Sequence, residues 1–141
     1  MKIYFDTNIV IDILKLRKPH FEKSNAAFLL AVNGQIDGII GVSSITDIFY
    51  ICRNDFEDTG KAVKIIFDIL KIIKPIDILV LDIYKAAELE FLDYEDAVIS
   101  AAAQREKANF ILTRNKKDFL KSVVPAITPD ELLQMLADKM K

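Results

Sequence analysis

Four aspartates stand where this chain could do chemistry: Asp6, Asp47, Asp96 and Asp118. Asp6 closes a short apolar run, Ile3-Tyr4-Phe5, and opens the polar triplet Asp6-Thr7-Asn8; apolar residues then resume at helical spacing with Ile9, Val10, Ile13 and Leu14. A strand therefore ends where a helix begins, with a carboxylate at the junction and Asp12 and Lys15 left for another face of the helix. Asp47 stands in the first turn after a second strand, Asp96 in a helix that precedes a fourth strand, and Asp118 just after that strand. In open α/β sheets the crevice beyond the carboxyl ends of the strands is where sites are built. Four carboxylates gathered there repel one another unless a cation is present. Hard oxygen donors of this kind suit magnesium or manganese, which keep some of their water and also bind substrate phosphate. Metal-dependent phosphodiester hydrolysis is the chemistry that follows. Asp93 is a candidate auxiliary ligand, because residues three apart on a helix share a face and Asp96 is three residues on.

Each acid has a plainer role open to it as well. Asp6 can cap the helix that follows, and Asp47 can close a capping box opened by Ser44. Asp96, in the run Asp93, Glu95, Asp96, can complement a helix dipole, and Asp118 can be an ordinary surface residue. Their recurrence at one edge of the sheet favours the chemical reading, since caps need not converge and ligands must. Asn8 and Thr113 are candidates to orient the carboxylates or a water, or to satisfy local backbone groups. Arg114, Lys116 and Lys117 follow the fourth strand, and Lys15, Arg17 and Lys18 follow the first helix. These can hold a nucleic-acid backbone, RNA or DNA, on either side of the site, or form a solvated rim. His20 has no orienting acid or nucleophile beside it in the sequence. Cys52 and Tyr50 read as packing residues of an apolar helix.

The elements that must position these residues alternate along the chain. The second helix runs from about Pro19 and His20 to Val32, ended by Asn33-Gly34, a pair suited to a left-handed cap. Ile36 to Val42 reads as a strand buried on both faces, followed by the helix carrying Asp47. Arg53 to Thr59 reads as a loop, Gly60 to Ile73 as an amphipathic helix stopped by Pro75, and Ile76 to Leu81 as a third strand, with Asp82 capping a helix to Phe91. A helix from about Asp93 to Lys107 carries an apolar stripe of Ala97, Val98, Ala101 and Ala102. Asn109 to Thr113 is a fourth buried strand, Val123 to Ile127 a short last one, and Pro129 opens a final helix. The alternation predicts a parallel sheet with helices on both faces.

Composition agrees with a folded enzyme-sized domain. The 141 residues are 52% hydrophobic and 28% charged, and no apolar run approaches the ~20 residues needed to span a bilayer. One domain over residues 1–141, in a reducing cytoplasm, is expected: Cys52 is the sole cysteine, and Asp6 and Asp12 interrupt any secretory leader. The net charge of −2 rules against nucleic-acid binding by bulk positive charge.

The segments FDTNIVID, SSITDI, DYEDAVISAAA and FILTRNKKDF, in that order, resemble the four signature segments of the PIN-domain family, in the branch of VapC-type toxins. The resemblance spans nearly the whole chain. It implies a three-layer α/β/α sandwich around a parallel sheet of four to five strands, and Mg2+- or Mn2+-dependent endoribonuclease activity. It also implies a homodimer and inhibition by an antitoxin. Carried over by position, Asp6 and Asp96 match the first and third metal-binding acids, and Asp47 stands where the family usually has glutamate. Many relatives carry an aspartate where this chain has Asn115; Asp118, in the TRNxxDF form, takes the fourth role, with Asn115 as its polar neighbour. Two other readings remain open: a nuclease of RNA processing or DNA repair that works without an antitoxin, and a non-catalytic nucleic-acid-binding module with a decayed site.

Overall fold

Ile3, Tyr4 and Phe5 are inaccessible to solvent, as expected of a central parallel strand covered on both faces. In the computed structural model, which describes residues 1–140, this strand is the middle of a five-stranded parallel sheet. The strands are β1 (Lys2–Phe5), β2 (Asp37–Gly41), β3 (Lys74–Ile76), β4 (Phe110–Leu112) and β5 (Ala126–Ile127), in the order β3-β2-β1-β4-β5. Tyr4 pairs with Ile39 on one side and with Ile111 on the other. The helices are α1 (Thr7–Leu14), α2 (Phe21–Val32), α3 (Ser43–Cys52), α4 (Thr59–Leu70), α5 (Val80–Glu88), α6 (Tyr94–Arg105) and α7 (Pro129–Lys139). None is long and apolar enough to cross a membrane.

Alternation along the strands divides the core in two. Ile3 and Phe5 of β1, with Ile40 and Leu112, face Ile9, Ile11, Ala27, Ile48, Ile66 and Leu132 from α1, α2, α3, α4 and α7. Tyr4, Ile39 and Ile111 face the opposite way, onto Ile99, Ala102 and Ala103 of α6. Small side chains let α6 approach the sheet closely, and α5 lies against it through Ala86, Ala97 and Val98. Each fully buried isoleucine or leucine contributes about 1.5–3 kcal/mol of transfer free energy, so both faces hold the sheet. The result is the three-layer α/β/α sandwich around a parallel sheet that the sequence led us to expect.

The strand order also locates the crevice. From β1 the chain runs to β2 and β3 on one side, then returns for β4 and β5 on the other. The reversal therefore lies between β1 and β4, where Asp6 and Thr113 emerge, and this is where an open α/β sheet leaves a cleft.

Several local expectations need correction. The third strand is Lys74–Ile76 rather than Ile76–Leu81, and the preceding helix ends at Leu70. Pro75 does not stop that helix; it sits within β3, an edge strand, where a residue without an N–H is tolerated. Asp82 is the third residue of α5 rather than its cap. Its carboxylate accepts the Leu79 N–H at 2.9 Å and the Arg105 Nε and Nη2 donors, each at 3.0 Å. The Ser44–Asp47 capping box does not form, because Ser44 shares a 2.8 Å hydrogen bond with the Thr7 hydroxyl. Asp12 is buried rather than turned away from the core. The Asn33-Gly34 stop is as expected, with Gly34 in the left-handed region at φ 73°.

Candidate active site

Asp6 is where β1 becomes α1: its backbone is extended, its N–H donates to the Leu112 carbonyl at 2.9 Å, and its carboxylate makes no capping bond to α1. The side chain is thereby released from the plainer role of a cap. It is 6% exposed, and its Oδ2 accepts the Thr113 hydroxyl at 2.9 Å. The same hydroxyl oxygen accepts the Asn115 N–H at 3.1 Å, which fixes the hydroxyl proton on Asp6. One threonine thus ties the ends of β1 and β4 and sets the carboxylate's orientation. Burial pushes the Asp6 carboxyl up; the Thr113 bond and the Arg114 charge oppose that, and Asp118 adds to it.

The other acids reach the same place from different elements. Asp47 comes from the first turns of α3, Asp93 and Asp96 from the start of α6, and Asp118 from the 3-10 turn Lys116–Phe119 after β4. Together with Asp6 and Glu95 they line one cleft of about 460 Å3, whose remaining walls are Thr7, Asn8, Ile11, Tyr50 and Ile51. No lysine or arginine lines it among the described residues. Asp93 is the cap of α6 rather than a residue within it, and its Oδ1 accepts the Asp96 N–H at 3.1 Å.

The electrostatic consequence is largest at Asp96. Burial, then the charges of Asp93, Asp6, Asp118 and Glu95, push its carboxyl up to about 7. Glu95 is also raised, by burial and then by Asp47, Asp93 and Asp6. Carboxylates that raise one another's pKa in this way form a site that favours a proton or a cation. The donor chemistry fits a hard divalent ion. Among the described residues, however, no three acidic, histidine or cysteine side chains are already drawn into a ligand set. Asp47, Asp93, Glu95 and Asp118 are exposed and have room to turn inward.

The supporting residues divide. Thr113 contacts an acid directly and Asn8 lines the cleft, whereas Asn115 contributes its main-chain N–H and lies outside the lining. Of the three basic residues after β4, two are engaged elsewhere. Arg114 Nε lies 2.7 Å from Asp12 Oδ2, without alignment for a hydrogen bond, and Lys116 Nζ binds Glu131 Oε1 at 2.9 Å. Arg114 is thus a clamp rather than a free RNA contact: Asp12 is inaccessible to solvent and also takes the Ser24 hydroxyl at 3.4 Å. Lys117 stands at the edge of a neighbouring cleft. Lys15 is paired with Asp55 at 2.8 Å.

Two titratable lining residues were missed from sequence. Glu95 looked like one more charge in an acidic first turn, yet it takes part in the cleft alongside its neighbour Asp96. Tyr50, expected to pack, is 62% exposed at the cleft, with the Arg53 guanidinium 5.3 Å from its ring centre. Cys52 is core, as expected, and His20 is not in the cleft.

Comparison with known proteins is consistent with this geometry. The family model described as "PIN domain" matches residues 2–117. Ribonuclease VapC1 of Aquifex aeolicus (strain VF5) is 25% identical over 138 residues, covering 94% of each chain. Among solved structures, a toxin–antitoxin complex from Klebsiella pneumoniae contains a chain that is 25% identical, with a TM-score of 0.62 over 90% of this chain and 97% of that one. VapBC-1 from nontypeable Haemophilus influenzae gives a TM-score of 0.69 at 13% identity, covering 92% and 99%.

Proposed function

The chain belongs to the PIN-domain family, and on that premise we propose that it is a divalent-metal-dependent endoribonuclease acting as the toxin of a toxin–antitoxin pair. The observation that carries this reading is the placement of Asp6, buried and held by Thr113, at the head of a cleft whose titratable lining is otherwise acidic apart from Tyr50. Asp6, Asp96 and Asp118 would hold Mg2+ or Mn2+, with Asp93 as an auxiliary ligand and Asp47 at a second cation or at the attacking water. An ion bound there lowers the pKa of water and neutralises charge on the scissile phosphate. Thr113 keeps the Asp6 carboxylate aimed into the cleft, and Asn8 on its wall is available to orient a water or the substrate. Lys117 is the residue of the Arg114-Asn115-Lys116-Lys117 run best placed to contact an RNA phosphate, since Arg114 and Lys116 already have acidic partners.

The acidity of the cleft supports a cation as part of this reading. A polyanion approaching it unaided would be repelled by the same charges that raise the pKa of Asp96. An antitoxin partner is proposed on the similar toxin–antitoxin complex, and a homodimer on the family resemblance alone.

The test is cleavage of a mixed single-stranded RNA pool by purified protein with manganese, with magnesium and with EDTA, beside the Asp6→Asn variant. Cutting that needs metal and is lost in the variant is the expected outcome. Cutting that persists in EDTA, or in Asp6→Asn, would remove this site from the reaction.

A further inference from the structure

We propose that a second cleft beside the carboxylates, bounded by Phe91, Leu92, Leu120, Lys117 and Lys121, is a nucleotide subsite that receives the base and phosphate next to the scissile bond. The proposal rests on the ribonuclease reading above. This cleft has a volume of about 350 Å3 and shares Asp93, Asp96 and Asp118 with the first, so a chain crossing the acidic centre passes directly into it. Beyond that shared wall the lining adds the apolar Phe91, Leu92 and Leu120 and the lysines Lys117 and Lys121, with Glu90 beside Lys121.

Leu92 is fully exposed and Leu120 is 81% exposed, beside the half-buried Phe91 and the buried Phe119 respectively. The Phe91 ring meets the buried Phe119 ring edge-on at 6.3 Å, which anchors the floor of the cleft to the main core. Lys121 Nζ donates to the Glu90 carbonyl at 2.9 Å and lies 3.6 Å from the Glu90 carboxylate, which leaves Lys117 as the rim lysine without an acidic partner among the described residues. A single-stranded polynucleotide offers a flat apolar base beside an anion at every step. An apolar floor with the unpaired Lys117 on its rim matches that repeat, and stacking or apolar docking of a base is sequence-tolerant. With a cation held by Asp93, Asp96 and Asp118, as the ribonuclease reading requires, Lys117 would add the positive charge that a neighbouring phosphate meets. An acidic or purely apolar occupant would use only half of this lining.

The test uses the full-length protein and an RNA oligomer that it cleaves, intact or with one abasic residue placed on either side of the cut. For the wild type, KM should rise about tenfold when the base on one side is missing, with kcat little changed. The exposed variants Leu92→Ser and Leu120→Ser should raise KM for the intact oligomer by a similar factor and should no longer register the missing base. Anisotropy with the non-cleaving Asp6→Asn protein reads the same loss in binding. Leu92→Ser and Leu120→Ser proteins that match the wild type in both KM and abasic penalty would overturn the subsite while leaving the ribonuclease reading intact. Variants that cleave normally but no longer bind an inhibitory peptide partner would overturn it too, assigning the cleft to that partner. A well-folded wild type that cuts no RNA would overturn the ribonuclease reading and the subsite with it.

Discussion

Asp6 and Thr113 illustrate how much a single hydrogen bond can decide. The Thr113 hydroxyl donates to Asp6 because its own acceptor capacity is directed to the Asn115 N–H, so replacing it with valine removes both the orientation of the acid and an anchor of the loop. Thr113→Val is expected to lower kcat/KM and manganese affinity by about 10–100-fold. Thr113→Ser should retain most of both, and equal loss in the two variants would deny the hydroxyl its role. Asp96 gives a pH dependence for the metal-free protein. Its folded pKa is raised to about 7 while the unfolded value is near the ordinary one, so the folded state holds the extra proton between those limits. Stability in EDTA should therefore fall as pH rises from about 4 through 7, and Asp96→Asn should flatten that decline. A metal-free protein whose melting temperature rises over this interval in the wild type, relative to Asp96→Asn, would contradict the assignment. The acids at Asp6, Asp47, Asp96 and Asp118 were legible because each follows a strand or lies near the start of a helix. Glu95 was not, since nothing in an acidic first turn says which carboxylate faces the cleft. Nor was the pairing of Arg114 with Asp12, whose partners are far apart in sequence.

At the scale of elements, the acids of α6 stay in place because α6 is locked to α5 and to the sheet. The lock is the fork of Arg105 on the buried Asp82, which also binds the Leu79 N–H and so fixes the start of α5. Arg105→Ala leaves that carboxylate buried without its cation and should cost about 3 kcal/mol, read by denaturant unfolding. A change under 1 kcal/mol would mean that Asp82 is solvated in the folded protein. A second check lies at Gly41, at the end of β2. A Cβ there would stand 2.3 Å from the Tyr4 hydroxyl and 2.9 Å from Ile78, so Gly41→Ala must displace a buried ring and is expected to destabilise by about 1–3 kcal/mol. The strands β1, β2 and β4 and the helices α2, α6 and α7 were readable from apolar runs and turn residues. β3 was not: it is three residues long, contains a proline, and is followed by an apolar stretch, Ile78 to Leu81, that imitates a strand. The Ser44–Asp47 pair carried a capping signal, but Ser44 is engaged by Thr7 from α1, a tertiary contact that no local pattern predicts.

At the scale of the whole molecule, a protein of net charge −2 gathers six acids around one cleft and is proposed to act on a polyanion. These facts are reconciled if the cleft works with a divalent cation bound, and the family and fold give that reading its context. The measurement that tests it most directly is a calorimetric titration of manganese into metal-free protein, alongside Asp6→Asn. The account predicts saturable binding by the wild type and its loss in the variant, with the variant still folded. A well-folded wild type that takes up no manganese, or an Asp6→Asn protein that binds it equally well, would contradict the claim that this cleft is the metal centre.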